Sequence, residues 1–132
     1  LKRLKEQGIT IVVSTPYMDE ATRCDRIALI QNGQFLSIDT PQNLVSQFEN
    51  ELWAVSSKQM SKLLHQLRAY PNVLSCYAFG DCHHMNTTKE MLDTQKLLEY
   101  LKQLGHEGIK IERIEPIIED IFMALATREE KL

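Results

Sequence analysis

The sequence predicts an α+β protein in which a β-α-β-β-α-β unit follows a shorter segment of helix and strand. Three observations predict this class. Apolar residues recur at helical spacing in two segments of the second half. Short runs of β-branched and aromatic residues alternate with these helices. The dipeptides Asn32-Gly33 and Gly80-Asp81 each separate two such runs by two residues, which is the spacing of a β-hairpin.

The first half combines a buried strand with a hairpin. Residues 9–14 are apolar and β-branched without alternation, a pattern typical of a strand buried on both faces of a parallel sheet. Gly8 suits the C-cap of a preceding helix. Thr40 and Pro41 suit the N-cap and first position of a following one. In chain order we expect a helix end at 1–7, a strand at 9–14, a short helix at 17–24, hairpin strands at 26–30 and 34–38, and a helix from 40 to about 48.

The second half has the element order of the split β-α-β, or ferredoxin-like, fold. In chain order we expect a strand at 52–56, a helix at 58–70, hairpin strands at 73–79 and 82–87, a helix from 93 to 104 with Asp93 as its cap, a strand at 109–114 and a last helix from 116 to about 126. The last helix is additional to the β-α-β-β-α-β order. We therefore expect it to dock on this unit or on a partner.

Composition excludes several classes of function. The 132 residues carry a net charge of −3, which argues against a nucleic-acid partner because such proteins need a basic face. No apolar run approaches the length of a transmembrane helix. The three cysteines have no C-x-x-C spacing, so a reducing compartment fits. The chain opens at Leu1, inside a charged helical segment, and we interpret it as a piece of a longer protein.

One run of motifs identifies a family. Residues 14–21 read S-T-P-Y-M-D-E-A, residues 24–30 read C-D-R-I-A-L-I, and residues 39–44 read D-T-P-Q-N-L. This run resembles the stretch around the switch histidine of ABC transporter ATPases, above all the drug- and polysaccharide-export type, whose pattern is S-T-H-x-M-D-E-A, C-D-R-I and G-T-P-x-x-L. The resemblance covers residues 1 to about 48. Residues 114–122, I-E-P-I-I-E-D-I-F, resemble the E-P-[ST]-[LI]-E-D-[IV]-F ending of the C-terminal domain often appended to such subunits.

The resemblance implies two domains. Residues 1–48 would be the C-terminal stub of the ABC nucleotide-binding domain, and residues 49–132 a ferredoxin-like accessory domain with a final helix. The full-length protein would use ATP and Mg²⁺ to drive export, with a transmembrane permease subunit and a second nucleotide-binding domain as partners on the cytoplasmic face of the membrane. No phosphate-binding G-x-x-x-x-G-K-[ST] loop occurs in these residues. We therefore expect the fragment alone to bind no cofactor and to have no ATPase activity.

Position 16 departs from the family pattern. In the family, a histidine there donates a hydrogen bond toward the γ-phosphate and helps stabilise charge during phosphoryl transfer. Pro16 has neither a side-chain donor nor a backbone N–H. The resemblance therefore implies no catalytic residue in this fragment, and we interpret the site as degenerate. Two alternatives remain at this point: Thr15 or Tyr17 compensates, or a sister nucleotide domain does the work.

Other residues raise further hypotheses. Trp53, Tyr77 and Phe79 form a partner or dimer surface if they lie on an open sheet face, and they are core residues if they lie under the helices. Cys82 and His84 share one side of their strand, which supplies too few ligands for a structural metal site. His65 and His106 are expected in solvent, and Cys24 on the packed side of a short helix.

The buried strand at 9–14 has no predicted neighbour. We therefore expect residues 9–38 to pair with another copy, to dock on the second domain, or to be poorly ordered. The alternative function is a stand-alone ferredoxin-like module that senses a ligand or binds a protein.

Overall fold

The computed structural model describes residues 5–130, with side chains through residue 126. The chain is α+β with antiparallel sheets, which confirms the predicted class. Its elements are α1 (Met18–Ala21), β1 (Ile27–Gln31), β2 (Gln34–Asp39), α2 (Pro41–Ser46), β3 (Glu51–Ser56), α3 (Met60–Arg68), β4 (Val73–Phe79), β5 (Cys82–Thr87), α4 (Thr94–Gln103), β6 (Lys110–Ile114) and α5 (Ile118–Glu130).

The second half forms a four-stranded sheet in the order β4-β5-β3-β6, and each neighbouring pair is antiparallel. Helices α3 and α4 cover one face of this sheet. They bury their leucines against one residue from each of three strands. This first core consists of Val55, Leu63, Leu67, Cys76, Met85, Leu97 and Leu101. The 3.6-residue spacing of the leucines was enough to predict the buried face of each helix, since each helix presents one apolar stripe to the sheet.

The first half forms the β1–β2 hairpin and α2. The predicted Asn32-Gly33 turn is confirmed, with φ of 53° and 76° at the two residues. The cap at Thr40 is also confirmed, since its hydroxyl accepts a hydrogen bond from the Asn43 amide at 3.1 Å. The hairpin and α2 bury a second core with residues from α5, made of Ile27, Leu29, Leu44, Ile118 and Ile121. The last helix therefore joins the two halves of the chain.

The predicted strand at residues 9–14 is wrong for this chain. These residues form no regular structure, and the side chain of Val12 is 92% exposed. A strand forms only where a neighbour accepts its backbone hydrogen bonds, and in the described range 5–130 residues 9–14 pair with none. Of the predicted helix at 1–7, residues 1–4 lie outside the described part. Gly8 does cap the residues before it, donating its amide to the Lys5 carbonyl at 3.0 Å.

Two smaller corrections concern the helices. The predicted helix at 17–24 contracts to a single turn, α1. Cys24 lies beyond that turn and is exposed, so it does not pack as predicted.

Two predictions about the later helices are confirmed. The last helix docks on the molecule. Asp93 caps α4 by accepting hydrogen bonds from the Gln95 and Lys96 amides.

Candidate functional site

The segment that carries the family motif is a surface loop closed by its own side chains. The Thr15 hydroxyl donates a hydrogen bond to Glu20 Oε2 at 2.8 Å and accepts one from the Tyr17 amide at 3.0 Å. Pro16 lies between these contacts on the exposed side of the loop. Because the Thr15 proton is directed to Glu20, the hydroxyl next to Pro16 is already engaged within the loop. The Tyr17 ring is exposed.

Tyr77 and Phe79 lie together on the sheet face opposite α3 and α4. Tyr77 pairs across the ladder with His84, and Phe79 with Cys82, which fits a two-residue turn at Gly80-Asp81. The His84 ring stacks on Phe79, with ring centroids 4.1 Å apart and planes 9° from parallel. This face is covered by α5, so the aromatic residues are half-buried and not an open surface.

Trp53 is not part of that face. It packs against the first core, on the α3–α4 side, and donates its indole N–H to the Thr87 hydroxyl at 3.1 Å. Arg113, its cross-strand partner, places its guanidinium 5.7 Å from the centre of the Trp53 ring. The structure therefore separates Trp53 from Tyr77 and Phe79 by the thickness of the sheet, and the three side chains do not form one surface.

A buried polar contact joins the sheet to α5. His84 donates from Nδ1 to Asp120 Oδ1 at 2.7 Å, and Asp120 Oδ2 accepts the backbone N–H of Ile117 at 2.9 Å. A carboxylate only accepts, so it fixes the proton on Nδ1 of the imidazole. The sequence marked Asp120 as part of the motif at residues 114–122. It did not indicate that His84, which lies 36 positions away, is the partner of Asp120.

A cavity of only about 10 Å³ lies beside this contact, lined by residues that include Ser75, Tyr77, Asn86 and Met123. Such a volume is close to the least that holds one water molecule. A larger groove of about 380 Å³ runs between α2 and the end of β6, with Gln42, Ser46 and Arg113 among its residues. The cavity beside His84 and Asp120 is too small for an organic substrate.

His106 corrects a further prediction, because it is buried and not solvated. Only 5% of the residue is exposed. Its Nε2 donates to Gln66 Oε1, and the Ser57 hydroxyl bonds Nδ1 at 2.9 Å. Burial, followed by the charge of Lys62, holds the pKa of His106 below its ordinary value. The neutral ring forms a hydrogen bond with each of these neighbours, which explains why a polar residue can be buried just after the end of α4.

The cysteines and histidines do not assemble a metal site in the part of the chain the structure describes. Cys82 and His84 do share a side of β5, but Cys82 Sγ contacts the Phe79 carbonyl oxygen at 3.7 Å. Burial raises the pKa of the Cys76 thiol to about 12, as expected for a structural core cysteine. Across residues 5–130, the helices are all too short or too polar to span a bilayer.

The fold and the motif loop define an α+β chain related to ABC transporter ATP-binding proteins, and comparisons with known proteins confirm the resemblance. The chain is 39% identical over 51 residues to the "Probable multidrug ABC transporter ATP-binding protein YbhF" of Escherichia coli strain K12, a match covering 39% of this chain and 9% of that protein. Over 98% of its length it is 25% identical to the Nod factor export ATP-binding protein I of Rhizobium sp. strain N33, of which it covers 40%.

A third relative is named as part of an energy-coupling factor transporter. The energy-coupling factor transporter ATP-binding protein EcfA1 of Caldanaerobacter subterraneus subsp. tengcongensis is 31% identical over 70 residues, which are 52% of this chain and 25% of that protein. The chain thus covers between 9% and 40% of the length of these relatives. No protein-family model matches it, and no solved structure gives a significant match.

Proposed function

We propose that the chain is part of the ATP-binding subunit of an ABC export transporter, which couples ATP binding and hydrolysis to transport. The motif run at residues 14–44 is the observation that carries the proposal. Its support is the similarity to an export ATP-binding protein over 98% of the chain. The full-length protein would bind ATP and Mg²⁺ and work with a transmembrane permease and a second nucleotide-binding domain. Its place would be the cytoplasmic face of the membrane.

Residues 1–48 would belong to the nucleotide-binding domain. In support, the outer face of the hairpin is apolar and uncovered: Ile30 and Phe35 are cross-strand partners, and both are more than half exposed. Ala28 and Ile38 form the neighbouring pair on the same face and are also exposed. Contiguous exposed apolar residues mark a surface that packs against something else. The rest of the nucleotide-binding domain would cover them, and in the isolated chain they would favour self-association.

Residues 49–132 would be an accessory domain of ferredoxin-like fold with a regulatory or dimerisation role. The β-α-β-β-α-β element order and the sheet order β4-β5-β3-β6 support this assignment. The covering of the second sheet face by α5 is an addition to that pattern. The aromatic pair Tyr77 and Phe79 would serve an interaction only if α5 moved away. Trp53 would instead stabilise the domain as a core residue on the opposite face of the sheet.

The nucleotide site of the full-length protein would be degenerate at its switch position. Pro16 offers no hydrogen-bond donor, and the hydroxyl of Thr15 is committed to Glu20. Such a site would still bind nucleotide, because binding depends on the phosphate loop and not on the switch residue. Binding and turnover therefore test different parts of the proposal.

Calorimetry with Mg-ATP tests the proposed function directly. We expect saturable binding by the full-length protein and none by the 132-residue chain, which serves as the matched control. The full-length protein should also co-purify with a membrane subunit when both are expressed together. A full-length protein that neither binds Mg-ATP nor retains a membrane partner would refute the proposal.

A further inference from the structure

Helix α5 has two different faces that contact the two halves of the chain. Ile118, Ile121, Phe122 and Leu125 recur at helical spacing and pack into the core shared with the hairpin and α2. Asp120, Met123 and Ala124 recur at the same spacing and face the four-stranded sheet. At 100° per residue these two sets lie on nearly opposite sides of the helix. The helix is therefore positioned between the hairpin and the sheet.

The two faces of α5 are held by different kinds of contact. On the hairpin side the buried residues are all apolar. On the sheet side, apolar residues such as Leu52 and Met123 are mixed with polar ones. There His84 and Asp120 are hydrogen-bonded, a small cavity remains, and the buried Asn86 Oδ1 has no hydrogen-bond partner among the described residues. The cavity leaves the packing there incomplete, and the His84–Asp120 hydrogen bond is the polar side-chain contact that attaches α5 to the sheet.

Asp120 performs two tasks at once. One carboxylate oxygen accepts the Ile117 amide and so begins α5, as the third residue of a helix does in a capping box. The other oxygen accepts His84 from β5. The side chain of Asp120 is 4% exposed and that of His84 12%, so water does not compete freely for either bond. The residue that starts the helix is thus also the residue that attaches it to the sheet.

We propose that the His84–Asp120 contact makes α5 the coupling element between the hairpin unit and the sheet. While the contact holds, the two units behave as one body. When it is lost, α5 stays with the hairpin through its apolar face and leaves the sheet, which uncovers Tyr77 and Phe79. In the full-length protein, and resting there on the proposed function, this contact would pass the state of the nucleotide-binding domain to the accessory domain.

Hydrogen exchange on the 132-residue chain tests the coupling without any nucleotide. His84→Ala removes the contact and leaves the Ile117 cap in place. A helix supported on its hairpin side alone opens more often, so we expect exchange of the α5 amides to accelerate by roughly tenfold or more, as for loss of a hydrogen bond to a charged group. Exchange of the β3 and β5 amides should stay within about threefold, because the first core holds them independently.

Two further variants separate the hydrogen bond from other effects. His84→Asn retains an N–H donor close to the position of Nδ1 but loses the ring that stacks on Phe79, so it should restore most of the α5 protection. Glu119→Gln removes a neighbouring charge from the same first turn and should leave α5 protection unchanged. The proposal fails if His84→Ala leaves α5 exchange unchanged, if it accelerates the helix and the sheet equally, or if His84→Asn behaves like His84→Ala. These results do not depend on whether the full-length protein binds ATP.

Discussion

Substitution of Leu44 by alanine should destabilise the whole chain, although Leu44 lies outside the four-stranded sheet. Leu44 is fully buried in the core shared by the hairpin, α2 and α5. The change removes three carbon atoms, worth about 2.4 kcal/mol at roughly 0.8 kcal/mol per carbon. The cavity left behind raises the loss in free energy of unfolding to about 3 kcal/mol, within the usual range for buried leucines.

Urea denaturation followed by Trp53 fluorescence is the assay, because Trp53 reports on the first core and not on the hairpin. With a slope of about 1–3 kcal/mol per molar urea, the midpoint should fall by about 1–3 M. The control is Ile30→Ala, on β1 but 54% exposed, which should change the free energy by no more than about 0.5 kcal/mol. An unchanged Trp53 midpoint in Leu44→Ala would refute the reasoning, since it would mean that the two cores unfold independently.

Two further predictions concern titrating groups. The free energy of unfolding should fall as the pH drops below about 6.5, the ordinary pKa of histidine. The pKa of His106 is lowered in the folded state, so below pH 6.5 the unfolded chain binds a proton more readily than the folded chain does. Urea titrations between pH 7.5 and 5 should show a smaller loss in free energy of unfolding for His106→Gln than for the unchanged chain. An identical loss in both would contradict this assignment. Iodoacetamide at about pH 8 should modify the exposed Cys24 within minutes and leave Cys76 unmodified until urea unfolds the chain, because burial raises the pKa of Cys76 to about 12 and shields it. Mass spectrometry of the peptides measures both rates, and equal rates in the native chain would argue against the buried position of Cys76.

Local signals accounted for most of the fold. The Asn32-Gly33 turn and the Thr40 cap are decided by residues within four positions of each other, and the structure has both. The strand predicted at residues 9–14 was wrong because β-branched residues indicate only a preference, while a strand also needs a neighbour to pair with. Whether a neighbouring strand is available depends on distant parts of the chain, which a local pattern does not reveal.

The contacts that define the candidate site are long-range, and the sequence did not reveal them. His84 and Asp120 lie 36 positions apart, and His106 lies 49 positions from Ser57. Taken singly, each of these polar residues is of a type that is common at protein surfaces. The motif around Asp120 did mark the right residue, although the partner on β5 that explains its burial became visible only in three dimensions. For Trp53, alternation along β3 with the core residue Val55 was the available signal for its side of the sheet.

The most direct measurement on the central claim is ATPase turnover of the full-length protein carrying Pro16→His, with Tyr17→His as the control at the neighbouring position. If residues 14–21 form the switch of an ABC nucleotide site, a histidine at position 16 restores the missing donor. Turnover should then rise by about tenfold or more, because one hydrogen-bond donor stabilises the charge that develops in the transition state. The control should leave turnover unchanged. No gain in Pro16→His, or an equal gain in both variants, would contradict a switch made degenerate by Pro16.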